Sequence, residues 1–548
     1  MATQASWLPL LAVALPMVTA AALVAARHRP SLRDRLLVVG AVVTFVVLAL
    51  LAPPVLRGEV PTSTLLEVLP GVTLSLRADA MGMVFALLAG FLWVLASPYA
   101  IGYLRGDDAS NRTRFLAFYA LCLSTAFGVA FAGDLLTFFI FYELLTIATY
   151  PLVTHKGNAA ALAAGRRYLA YLLAGGAAVL VAFAVVYAQT GEATFVPGGF
   201  VGTAMTPTVT VVTFLLFALG FGTKAGVMPL HAWLPAAMVA PTPVSALLHA
   251  VAVVKAGVFA FGRLIGFVYG PDVLADVGAA TVVAVFAGTT IVVASLVALR
   301  QDHLKRRLAY STIAHLAYIV LGFALLAPDS FTGSLLHIVN HGALKITLFF
   351  AAGALHVHLH LDHVSELDGV GRRMPLTMGA FALASLGLAG LPPMGGFVSK
   401  WYLVGGAFEG GALLPAFVMA GAGLLTAGYL FPVVHRAFFR PPRDAVPAPT
   451  TPATAGHGSP TTVGPGDGAL PTRPVRGATA TLAPAPGTDR EQGSGWPLRG
   501  GWPDADPMLV VPLAVTATLG LALGLGDLFG VFDLATLVTD EVFGGGAP

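Results

Sequence analysis

The apolar residues of this chain gather into runs of about 20, with polar residues confined to the short stretches between them. About fourteen such runs follow one another, beginning near Trp7, Arg35, Ala80, Arg114, Asp134, Gly165, Thr210, Thr242, Val273, Leu308, Phe331, Leu376, Gly411 and Asp506. Each is long enough to cross the ~30 Å hydrocarbon core of a bilayer as a helix. The pattern predicts an all-α polytopic membrane protein of about 14 transmembrane helices, with too little chain left between them for a large soluble domain. The first run has no basic residue before it and a basic cluster, Arg27 to Arg35, after it, so it reads as a retained span entering with its N-terminus outside. One stretch breaks the pattern. Residues 441–505 are rich in Pro, Gly, Ala and Thr and read as a disordered cytoplasmic loop between spans 13 and 14.

Composition and charge agree with this layout. The 548 residues are 57% hydrophobic and only 10% charged, against roughly 25% charged in a soluble domain. Basic residues fall on alternate connections. Those after odd-numbered spans carry Arg27, Arg29, Arg33, Arg35, Arg105, Arg112, Arg114, Lys156, Arg166, Arg167, Arg300, Lys305, Arg306, Arg307, Arg372, Arg373, Arg436 and Arg440, besides the arginines of the long loop. Those after even-numbered spans carry only Arg57 and Arg77. By the positive-inside rule both termini face outward. The net charge of +3 is therefore a topology signal and gives no support to nucleic-acid binding. Cys122 is the only cysteine, which excludes an intrachain disulfide and an all-cysteine iron–sulfur or zinc site.

Two distant stretches echo each other, "KAGVMPLHAW" in span 7 and "LPPMGGFVSKW" in span 12. Each combines a lysine, glycine and proline in mid-span. Pro229 lacks an N–H, which frees the carbonyl of Ala225; Pro392 and Pro393 likewise free those of Leu388 and Ala389. Both helices should be broken. Their spacing, five spans apart, suggests two inverted five-helix repeats, residues 111–270 and 271–440, following three helices in 1–110 and preceding the last helix in 506–548.

Lysine, not arginine, is the cation inside the spans. Of six lysines in the chain, Lys224, Lys255, Lys345 and Lys400 lie within runs; Arg263 is the one arginine that does, near a helix end from which it could snorkel. A buried lysine costs about 3 kcal/mol even on mild insertion scales. Unlike arginine it can give up its proton when desolvated, so it can load and unload one. Glu143, in "FFIFYELLT", is the clear intramembrane carboxylate and the natural partner of Lys224; Asp134 reads as a cap. In span 11, His337, His341 and Lys345 follow at i, i+4, i+8, a ladder with rungs ~6 Å apart. His249 lies beside Lys255 in span 8, His315 in span 10 and His231 after the first break, with Ser and Thr hydroxyls or water to bridge the gaps. "HVHLHLDH", His356 to His363, is spaced for an extended strand at the cytoplasmic side and does not read as a metal site.

These residues, in "LGFGTKAGVMPLHAWLPAAMVAPTPVSALLHAVAVVKAGVFAFGRL", "LKRRLAYSTIAHLAYIVLG", "HIVNHGALKITLFFAAGAL" and "LGLAGLPPMGGFVSKW", resemble the proton-conducting antiporter-like membrane subunits. That family is shared by respiratory complex I, membrane-bound hydrogenases and multisubunit Mrp-type sodium/proton antiporters. The resemblance, over about residues 75–440, implies the fourteen-helix core with broken helices 7 and 12. It also implies an input couple Glu143–Lys224, a bridge of Lys255 with His249, a central relay of His337, His341 and Lys345, and an output Lys400, with His315 alongside. It implies other membrane subunits as partners, no cofactor and no metal, and a bacterial or archaeal cell membrane. The absence of a long lateral helix and a lysine in span 12 resemble the D-type subunit of an Mrp-like antiporter. The alternative is a proton-pumping subunit of a complex I-like oxidoreductase or hydrogenase. No Na⁺ coordination shell is readable.

Overall fold

The computed structural model describes residues 2–69, 72–442 and 504–544. Residues 443–503, most of the loop expected at 441–505, lie outside the described residues. At the loop's far end Asp504 caps span 12, accepting from the Leu376 and Thr377 amides at 2.7 and 3.0 Å and from the Thr377 hydroxyl.

Among the described residues thirteen helices are long and apolar enough to cross a membrane unbroken. They are spans 1 to 6, Leu8–Ala25, Pro30–Leu56, Ala80–Gly106, Arg112–Phe131, Leu135–Val153 and Ala159–Thr190; span 7, Pro207–Ala225; spans 8 to 11, Thr242–Tyr269, Ala279–Leu299, Leu304–Ala324 and Pro328–Leu359; and spans 13 and 14, Leu413–Phe439 and Pro507–Leu525. Two shorter helices, Pro375–Ala389 and Gly395–Glu409, together make span 12. The layout is that of the fourteen apolar runs.

The spans are buried unequally. The most apolar windows of spans 8 and 11 are wholly buried and that of span 10 is 94% buried, whereas spans 2 and 13 bury about a third of theirs. The helices richest in His and Lys are thus those that other helices shield from lipid, which is what the cost of exposing such groups to hydrocarbon demands.

Both breaks are built alike. Span 7 ends at Ala225, and Gly226 adopts φ 70°, its amide turning back to Thr223 while that of Val227 reaches Gly222 O at 3.0 Å. The first half of span 12 ends at Ala389, and Gly390 at φ 90° repeats the arrangement with Leu391 N to Leu386 O at 3.1 Å. A left-handed glycine closed by such a bond stops a helix while satisfying its terminal carbonyls. The glycines end the helices; the prolines beyond them prevent resumption. The lysines sit on opposite sides of the two breaks, Lys224 just before the first and Lys400 in the helix after the second, a difference the sequence echo conceals.

The helical expectation holds, and one small sheet stands beside the helices: Ala2–Ala5 (β1) pairs in parallel with Glu59–Leu69 (β2), which pairs antiparallel with Val72–Arg77 (β3). The β-branched residues of "VPTST" and "VTLSLR" favour strands, and a scan for long apolar runs passes over them. One expectation is corrected: Arg263 does not snorkel. It is 1% exposed, and its guanidinium makes two bonds to Asp79, at 2.6 and 2.7 Å, below the rings of Phe195, Phe259 and Phe267. Asp79 meanwhile caps span 3 through the Gly82 amide at 2.8 Å. A planar fork on a carboxylate resolves the charge without water.

Candidate functional site: a buried lysine–histidine file

At one end of the buried polar groups stand Glu143 of span 5 and Lys224 of span 7. Their charged atoms are 3.7 Å apart, with Lys224 fully buried and the Glu143 side chain 17% exposed. Lys224 Nζ donates to the Tyr142 carbonyl and lies 3.2 Å from the centre of the Tyr142 ring. The ammonium thus has three competing attractions: a carboxylate, a carbonyl and a π face. It also sits in the last turn of its helix, where the dipole favours a cation. The pair is close without being locked.

Span 8 comes next. Gly257, two residues beyond Lys255, lies against the break, where a β-carbon would fall 2.4 Å from the Ala225 amide and 2.9 Å from Lys224 Cβ. Only glycine lets span 8 come this near Lys224. Before Lys255 the helix opens into one π turn, Leu247–Val251, which carries His249, and the Ala252 amide reaches back to Leu247 O. Such bulges rotate side chains out of the ordinary helical register and gather at functional sites. Both ring nitrogens of His249 are buried without a partner.

A file of neighbouring groups starts at Lys255. Its Nζ lies 2.9 Å from His341 Nδ1. The His341 ring is 5.5 Å from that of His315, and His315 Nδ1 is 3.1 Å from His337 Nε2. His337 Nδ1 is 2.9 Å from Ser399 Oγ, on the residue before Lys400. Lys400 Nζ donates to Leu388 O at 2.7 Å and Ala389 O at 3.1 Å, the two carbonyls whose helix partners Pro392 and Pro393 remove. Its other face looks at the Tyr318 ring, 5.3 Å away. His249, His315, His337, His341, Lys255 and Lys345 are all fully buried.

The expected ladder of span 11 is rearranged. Lys345 does not bond to His341; it donates to Ser311 Oγ at 2.6 Å, from which hydroxyls continue to Tyr429 at 3.0 Å and Thr426 at 3.1 Å. It heads a side branch. His231 also stands apart, in the break of span 7 beside Tyr310, at the wall of a surface cleft. The stretch from His356 is not extended at its start: helix continues to Leu359, and His356 binds acids instead, with Nδ1 3.0 Å from both Asp362 oxygens and Nε2 3.7 Å from Asp107. The His356 contact holds the Asp362 carboxyl down at about 2, against the opposing effect of burial. Among the described residues no group of three or more His, Cys, Asp or Glu side chains could hold a metal ion.

Ser399, Ser311, Tyr318, Tyr429 and Tyr142 escape sequence reasoning, because hydroxyls are common in membrane helices and only pairing across the fold singles these out. Ser399, adjacent to Lys400, is the one that its position could have flagged.

Residues 132–426 match the family described as NADH:quinone oxidoreductase/Mrp antiporter, TM. That segment contains every residue of the file. The chain belongs to this family. Among its members, NADH-quinone oxidoreductase subunit N of Desulforudis audaxviator is 35% identical over 376 residues, 68% of this chain and 73% of that protein. A component of the probable K(+)/H(+) antiporter of Rhizobium meliloti is 33% identical over 70% of this chain, but only 38% of its own greater length. Among solved structures, the Mrp complex from Dietzia sp. DQ12-45-1b contains a chain that superposes with a TM-score of 0.80, 98% coverage of both chains and 23% identity. At that identity the likeness is one of fold. This NADH:quinone oxidoreductase/Mrp-type chain is thus a membrane subunit whose relatives work in multisubunit complexes.

Proposed function

We propose that this chain is the proton-translocating subunit of a multisubunit monovalent cation/proton antiporter, of the D type within the Mrp-like group. One observation carries the proposal: the sequence Lys255–His341–His315–His337–Ser399, within hydrogen-bond distance at every step except the 5.5 Å ring contact of His341 with His315, and buried between two broken helices that each present a lysine. A packing role would not align proton-bearing nitrogens across three helices. Each group in the file can both accept and donate a proton, and imidazole does so at its two separate nitrogens. The His341 and His315 Nε2 atoms are both buried without partners, and a single water between these neighbouring rings would complete the file.

In this reading Glu143 and Lys224 are the couple at one end. Protonating Glu143, or deprotonating Lys224, removes the attraction and frees the ammonium for the Tyr142 carbonyl and ring. Lys255, with His249 in its π turn, is the bridge, Lys345 a branch, and Lys400, released from or returned to Leu388 O and Ala389 O, the other end. Residues 111–270 and 271–440 are then the two five-helix halves that this axis joins. The basic connections face the cytoplasm, with both termini outside a bacterial or archaeal cell membrane, and Na⁺ is the candidate exchanged ion.

The likeness to NADH-quinone oxidoreductase subunit N supports a second reading, the membrane subunit of a redox-driven proton pump. Co-purification from native membranes separates the two. Small multipass proteins alone support the antiporter; flavin and iron–sulfur subunits in the same complex would replace it with the pump.

A further inference from the structure

Beside the break in span 7, on the side of the arginine-rich connections, a cleft of about 520 Å³ opens at the protein surface. Arg167 of span 6, Arg306 of span 10, His231 of the break, Gln301 and Tyr310 line it, and Ala163 leaves its wall low. No acidic residue borders it. Among the described residues neither arginine has a carboxylate within ion-pair reach. Elsewhere Arg33 and Arg105 share Asp34, and Arg436 holds Asp368. Here two exposed arginines border open space, with His231 in its wall.

The cleft's own wall adds Ala160, Ala163, Ala164, Ala232, Pro235 and Ala236, so an anionic group held there would rest against small apolar side chains.

We propose that this cleft binds the phosphate of an anionic phospholipid headgroup, with Arg167 and Arg306 on the phosphate oxygens and His231 as a further donor. Guanidinium groups suit phosphate because their N–H forks match its oxygens, and basic pockets between helices on the cytoplasmic side are suited to such headgroups. A lipid seated there would touch spans 6 and 10 and the break at once, so it would steady the segment that carries Lys224.

Native mass spectrometry of the complex, extracted in mild detergent from membranes containing phosphatidylglycerol, reads this directly and independently of transport. The wild-type complex should retain one tightly held phosphatidylglycerol that the double variant Arg167→Gln/Arg306→Gln lacks, with retention lower by about tenfold or more, given the strength of charge-assisted bonds. The double variant Arg29→Gln/Arg35→Gln, basic residues on the same side away from the cleft, should retain it. Equal retention in all three proteins overturns the proposal, as does an equal loss from the control. Displacement of the lipid by millimolar inorganic phosphate would assign the same chemistry to a free ion and overturn the lipid. Cross-linking of a probe at Ala163→Cys to a neighbouring protein of the complex, in place of lipid, would do so too.

Discussion

Lys255 Nζ and His341 Nδ1 meet at 2.9 Å across spans 8 and 11, a contact between two groups that are both cationic when protonated. They can share a hydrogen bond only if one of them supplies a lone pair, so the pair holds one fewer proton than its two charged forms would. The vacancy is what a relay needs. Lys255→Arg keeps the positive charge but cannot release it. In proteoliposomes of the assembled complex it should lower proton flux by about 100-fold or more, within the usual range for loss of a positioned acid–base group, while the complex still purifies intact. Wild-type flux in that variant would refute the relay.

The Glu143–Lys224 couple makes a separable prediction. Glu143→Gln mimics the protonated carboxyl, removes the 3.7 Å ion pair and leaves the Tyr142 carbonyl and ring to hold the ammonium. Because the lysine keeps two attractions, folding should survive; because the switch is fixed in one state, ion-driven proton flux should fall to background. A static packing pair would behave in the opposite way, with poor assembly and normal flux in whatever assembled. Flux measured against the amount of intact complex distinguishes them.

Gly257 tests whether the approach of span 8 to the break matters. A valine there would meet main-chain atoms of Lys224 and Ala225, which cannot swing aside as a side chain can. Gly257→Val should cost stability in the range of overpacked cores, ~1–3 kcal/mol, and also impair flux in the material that folds. Gly288, with open space around it in span 9, is the control, and Gly288→Val should change neither.

What the sequence discloses and what it hides follow from the range of each signal. Span number, the two breaks and the buried lysines are local patterns, visible because a bilayer imposes length on apolar runs and a high cost on charge. Pairings are not local. His341 meets Lys255 from 86 residues away, and Asp79 meets Arg263 from 184. Position within the run therefore suggested a snorkelling Arg263, when its actual partner caps the start of span 3. The helical spacing that put Lys345 in line with His341 was correct as geometry, but Ser311 on span 10 offers the closer acceptor.

That Asp79–Arg263 pair should be sensitive to loss of one member. Asp79→Asn leaves a guanidinium buried among three phenylalanine rings and weakens the cap on span 3. The expected cost is about 3–5 kcal/mol, read as a lower thermal transition of the detergent-purified complex. The paired change Asp79→Leu/Arg263→Met should recover part of it, since no charge is then stranded.

The same pair bears on the helix that follows span 14. Val531–Phe543 packs on span 11 through Thr539, whose hydroxyl is 2.7 Å from that of Thr332, and through Phe543 against Phe331. It brings Glu541 towards Asp79, Arg263 and Arg77, with one carboxylate oxygen buried and unpartnered. Burial, and then the nearby Asp79 carboxylate, push the Glu541 carboxyl up to about 7, while Arg263 and Arg77 pull the other way. A free glutamate titrates near ~4.3. The docked helix therefore binds a proton that the undocked helix releases throughout the interval between those values. Its docking is at full strength below that interval, weakens as pH rises through it, and has lost this contribution above pH 7. Hydrogen exchange of residues 531–543 should be slower at pH 5 than at pH 8 after correction for the intrinsic rate. Glu541→Gln should hold the slow, low-pH protection at both values. A wild-type helix with the same corrected protection at pH 5 and 8 would show that Glu541 does not titrate on docking, and that the arginines outweigh burial at this end of the protein.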